Sequence, residues 1–86
     1  NFSILQLYLD RNGKKHVVLI HDFSHGCYNI HKYYLAHAVR TEMDQQPLTS
    51  ELFYQIKITI RKNWQFYRDE YLRRFMPEEF GFLPKD

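Results

Sequence analysis

Three histidines, a cysteine and an aspartate stand within eleven residues, HDFSHGCYNIH from His21 to His31. Imidazole nitrogens are common ligands of tetrahedral zinc, so His21, His25 and His31 are candidate metal ligands and zinc the candidate cofactor. Cys27 or Asp22 could join them in a loop site. Cys27 close to His25, with Asp22 nearby, also supplies the residue types of a thiol catalyst. The competing assignment is a polar connection between a strand and the next element, with histidines in solvent and an Asx-type cap.

The order H-x-x-x-H-x-x-x-x-x-H resembles the spacing of the metzincin metalloproteases, whose motif is H-E-x-x-H-x-x-G-x-x-H. The resemblance covers these eleven residues and implies a zinc-dependent hydrolase with its first two histidines on a helix. Two positions depart from it: Asp22 replaces the general-base Glu, and Gly26 directly follows the second histidine instead of coming three residues later. The residues before His21 also read as a strand, not a helix.

That strand belongs to the first clear element. SILQLYLD and KHVVLIHD flank Asn12-Gly13, a dipeptide suited to the positive φ angles of a two-residue type I′ turn. Such a turn pairs Asp10 with Lys15, Leu9 with His16, Tyr8 with Val17, Leu7 with Val18, Gln6 with Leu19, Leu5 with Ile20 and Ile4 with His21. Period-two alternation then predicts a core face of Leu5, Leu7, Leu9, His16, Val18 and Ile20. The opposite face, with Ile4, Gln6, Tyr8, Val17 and Leu19, is apolar enough to pack on a helix, a further strand or another protein.

Residues 29–44 have helical composition, with Tyr28, Leu35, Val39 and Met43 at helical spacing, Gly26 at the entry and Gln46-Pro47 at the exit. A second helix is predicted over 50–76, capped by Thr49 or Ser50 and ended by Pro77. Its stripe of Phe53, Ile56, Ile60, Trp64, Tyr67, Tyr71 and Phe75 would run about 39 Å. Asp69 and Arg73 stand at the favourable i, i+4 spacing. The expected architecture is a small single α+β domain, a hairpin at about 3–22 followed by helices at about 29–44 and 50–76 (β-β-α-α), with an extended tail over 77–86.

Eighty-six residues suit one domain with a small core, yet the chain holds seven Phe, seven Tyr and one Trp. Some of these rings are expected to face a partner. The single cysteine excludes an internal disulfide framework and points to a reducing, intracellular compartment. No apolar run reaches membrane-span length, and the first residues lack a charged-then-apolar leader pattern. A chain that begins with Asn is expected to be processed or part of something longer.

The formal net charge is only +2, but 57–74 concentrates Lys57, Arg61, Lys62, Arg68, Arg73 and Arg74 against Asp69 and Glu70. Lys57, Arg61, Lys62 and Arg68 could contact phosphates, with aromatics nearby to stack on bases. Against this stands the ordinary solvated face of an amphipathic helix. The expectation that leaves fewest residues unexplained is a non-enzymatic accessory or regulatory protein. It would bind a larger protein, or a second copy, through Arg61, Trp64, Phe66, Tyr67, Arg68, Tyr71 and Arg74 of the long helix and Phe80 and Phe82 of the tail.

Overall fold

The computed structural model describes residues 3–23, 28–36, 39–43 and 48–84. Four strands, β1 (Ser3–Leu9), β2 (Lys15–Asp22), β3 (Tyr28–Lys32) and β4 (Val39–Met43), form one antiparallel sheet in the order β1-β2-β3-β4. Two helices follow, α1 (Ser50–Phe75) and α2 (Pro77–Gly81). The fold is a small α+β domain that opens with a hairpin and is dominated by one long helix.

The hairpin turn is one residue longer than a type I′ turn. The Asp10 N–H donates to the Lys14 carbonyl at 3.0 Å, leaving Arg11, Asn12 and Gly13 as a three-residue loop. Gly13 takes a φ of +83°, the left-handed position such loops require. Leu9 therefore faces Lys15, Tyr8 faces His16, and Leu7 faces Val17. A bulge then restores the predicted register, so Gln6 meets Leu19, Leu5 meets Ile20 and Ile4 meets His21. The Asp10–Lys15 pair does not form. Asp10 instead accepts the Asn12 and Lys14 N–H groups at 2.9 Å each and bonds His16 Nε2 at 2.8 Å.

The expected core face is corrected as well. Leu5, Leu7 and Leu9 are 46%, 48% and 62% exposed, whereas Gln6 is buried and Ile4 and Tyr8 are half-buried under α1. Leucines are not obliged to lie inside. The face that α1 covers gains Tyr28 and Ile30 from β3, and Phe23 beyond β2, so it offers more apolar area for a single helix to bury. At the bulge, Val18 and Leu19 are both buried.

Among the described residues of 29–44 there is no helix. β3 and β4 lie there, with Tyr28 and Ile30 alternating toward α1 and β3 pairing with the open edge of β2. Ladder pairing outweighs a helical propensity that is only a weak prior. After β3, the Leu35 N–H donates to the Lys32 carbonyl at 3.3 Å in a turn. Gly26 and Gln46-Pro47 lie outside the described residues.

α1 begins as its sequence predicts, with the Thr49 hydroxyl accepting the Leu52 N–H at 3.0 Å. Its aromatic stripe is only partly a core. Ile56 is buried and Ile60, Tyr67 and Tyr71 pack against the sheet, but Phe53, Trp64 and Phe75 remain exposed. Pro77 ends α1 and also opens α2 as its first-turn residue, so the tail expected to be extended is helical over Pro77–Gly81.

Candidate functional site

β1 and α1 run side by side. Ile4 packs near Ile56 and Ile60, Gln6 Nε2 donates to the Trp64 carbonyl at 2.8 Å, and Tyr8 packs near Tyr67 and Tyr71. This alignment sorts the outward residues of α1 onto two flanks. At about 100° per residue, Lys57, Arg61, Trp64 and Arg68 fall within about 60° of one another. Phe66 lies on the other flank, edge-on to Tyr34 past the end of β3, with ring centroids 6.3 Å apart. Arg68 instead adjoins Phe80, Leu83 and Pro84 of the tail, which is itself anchored at the C-terminal end of β1.

The anchor is Glu79. This buried carboxylate accepts the Tyr8 hydroxyl at 3.0 Å and the Arg11 N–H at 3.2 Å, and it pairs with the Arg11 guanidinium. Hydrogen bonding from Arg11 holds its carboxyl below the usual carboxylate range. The Arg11 guanidinium also lies 3.8 Å from the centre of the exposed Phe82 ring. Glu79→Gln should lower the melting temperature and free the tail, because a neutral amide cannot serve the cation and both donors together. Glu78→Gln, at an exposed position, should not, and limited proteolysis of the two variants checks the difference.

Other basic residues are engaged from the side. Arg68 lies 4.9 Å from the Trp64 ring centre while its Nε donates to Asp69 at 2.9 Å. Lys57 stands 5.5 Å from the Phe53 ring centre. Asp69 thus pairs with its neighbour and not with Arg73, which lies over Phe80 at 4.7 Å. Arg61, Lys62 and Arg74 are exposed, with Lys62 about 100° around the helix from Arg61.

Of the residues predicted to meet a partner, Arg61, Trp64, Phe66, Arg74 and Phe82 are exposed. Tyr67, Arg68, Tyr71 and Phe80 are half-buried and serve first to seat α1 and α2. The exposed leucines of β1, with the half-buried Ile20, are the apolar surface that pattern reading assigned to the core, and the register near the turn adds Val17, which that reading placed on the opposite face. Their strict alternation was the available signal; nothing in it says which side the helix takes.

The histidines separate. His21 pairs with Ile30, and His31 with Ile20, so His21 and His31 lie on opposite faces of the sheet. His25 and Cys27 lie outside the described residues. His21 is buried, and its Nδ1 lies 2.5 Å from the Tyr28 hydroxyl, a ring that stacks in turn on Phe23 at 4.5 Å. Burial pushes His21 down to about 4 and Tyr28 up to about 12. Both groups are therefore neutral, and their hydrogen bond is an internal one that occupies Nδ1. No cluster of metal-ligating side chains occurs among the described residues.

An open groove of about 380 Å³ separates the hairpin turn from the corner between α1 and α2, lined by Asp10, Arg11, Asn12 and residues 75–79. No helix among the described residues is long and apolar enough to cross a membrane. Comparison with protein-family models, with curated proteins and with solved structures finds no match to this chain.

Proposed function

We propose that this domain is a binding module that docks a larger protein through the exposed aromatic and basic side of α1 and the surfaces beside it. The observation that carries this reading is the amount of large apolar side chain left in solvent: Trp64 at 42% and Phe66 at 56% on α1, with the exposed leucines of β1 on the other face of the sheet. Small domains seldom leave so much apolar area uncovered without a use for it. Tryptophan and arginine are the side chains that most often dominate binding energy, and Trp64 and Arg61 share one flank. The mechanism would be scaffolding or occlusion, with Trp64 and Phe66 supplying contact area and Arg61 orienting an acidic surface.

The test is affinity capture with the full chain from its cells of origin, repeated with Trp64→Ala, Phe66→Ala and Arg61→Glu. All three positions are exposed, so circular dichroism should show an unchanged fold. The expected result is a partner whose affinity falls by roughly tenfold or more for Trp64→Ala, with weaker losses for the other two. A partner retained equally by all three variants would defeat the assignment to α1. Retention that fell steeply with salt and depended on nucleic acid in the extract would favour phosphate contacts by Lys57, Arg61, Lys62 and Arg68 instead.

A further inference from the structure

β1 is an edge strand, and its seven residues, SILQLYL, carry no charge and no proline. Natural edge strands are commonly blunted by lysine, proline, a bulge or brevity, because their free backbone groups invite another strand. β1 has none of these on its outer side; the bulge of the hairpin lies on the side paired with β2. Its edge is also a boundary between two unlike surfaces. On one side of the sheet lie Leu5, Leu7 and Leu9, and on the other runs the α1 flank of Lys57, Arg61, Trp64 and Arg68.

We infer that β1 receives an extended segment of the partner protein as a fifth strand, and that this segment alternates apolar with acidic residues. A strand added about 4.8 Å from β1 sends successive side chains to opposite faces. Its residues on the leucine side would extend the apolar surface of Leu5, Leu7 and Leu9. Those on the helix side would meet the basic flank, where carboxylates are complementary to Lys57 and Arg61 and an apolar stem can cover Trp64. α2, anchored on Tyr8 and Arg11, bounds the site at the C-terminal end of β1.

Charge also selects against the simplest alternative, a second copy of the chain. Pairing β1 with β1 about a two-fold axis would put both basic flanks on one side of the joined sheet, where like charges oppose each other.

This inference rests on the proposed binding role, and peptide selection separates the two. A phage-displayed library of linear ten-residue peptides would be panned on the full chain. The expected winners alternate apolar and acidic residues with period two. They should slow hydrogen exchange at alternate amides of β1, shift the emission of Trp64, the only tryptophan, and lose roughly tenfold or more in affinity to Lys57→Glu/Arg61→Glu. The fold of that double variant would be checked independently by melting. Winners with helical periodicity, or protection confined to α1, would overturn strand addition while leaving a protein-binding role intact. An absence of winners, winners without acidic bias, or self-association through β1 at micromolar concentration would overturn it outright.

Discussion

Leu72→Ala is expected to lower the unfolding free energy by about 2–5 kcal/mol, the range for truncating a fully buried leucine. Leu72 has no exposed surface, yet it does not belong to the side of α1 that packs on the sheet. Sixteen residues separate it from Ile56, which places the two about 160° apart around the helix. The sheet covers Ile56, whereas the tail lies along the other side of α1, with Phe80 under Arg73 and Phe80 and Leu83 beside Arg68 and Asp69, so the chain beyond Pro77 is the expected cover of Leu72. The variant should therefore do more than destabilise. It should release residues 77–84, seen as cleavage within that segment at protease levels that spare the parent. Ile56→Ala should destabilise comparably without early release of the tail. Equal protection of the tail in both variants would show that Leu72 is covered by something else.

The second large effect is a loss of stability in mild acid. His21 titrates at about 4 in the folded protein against 6.5 in the unfolded chain, so below pH 6.5 the unfolded state binds the proton that the folded state refuses. The contribution is whole above pH 6.5 and is lost progressively as pH falls toward 4. The gap corresponds to about 3 kcal/mol when complete, of which about 2 kcal/mol is gone by pH 5. Denaturant unfolding at pH 7 and pH 5 measures it. His21→Gln keeps a hydrogen-bonding group for the Tyr28 hydroxyl but cannot be protonated, so its stability should vary much less over that interval. An unchanged slope in the variant would move the pH dependence to other groups. Glu79 adds a loss of the same sign at lower pH, since its carboxyl is held down by Arg11 and the benefit disappears as it protonates.

These expectations draw on different degrees of legibility in the chain. The hairpin and α1 were readable because each has a strong local pattern: alternation around Asn12-Gly13, and a helical repeat between Thr49 and Pro77. Two short strands were not readable in the same way, because β3 and β4 are five residues each and exist by pairing, β3 with β2 and β4 with β3. Within so few residues, alternation and helical spacing both find matches. The side of the hairpin that faces inward was equally hidden. Both faces of β1 and β2 are apolar, and the choice depends on Tyr28 and Ile30 arriving from β3.

For the surface itself, composition showed that aromatic residues exceed what a small core can hold. It could not say which ones. Trp64 and Tyr67 sit three residues apart on one apparent stripe, yet the first is exposed and the second packs against Tyr34 at 4.8 Å. Glu79 was invisible as an anchor, because a glutamate in a charged tail carries no sign that Tyr8 and Arg11 converge on it.

The hairpin holds one residue more in its turn than a two-residue loop and one more at Val17-Val18 than a regular ladder. In genetic terms each is a separate, tolerable insertion, because each sits between pairs that close without it. Loss of a turn residue would leave a two-residue loop between Asp10 and Lys14, with Tyr8 still opposite His16 and Leu7 still opposite Val17. Loss of Val18 would bring Gln6–Leu19 directly after Leu7–Val17 in a regular ladder with both faces intact, at the cost of a fully buried side chain. The length of this element is thus free to drift in sequence at either place without the other following.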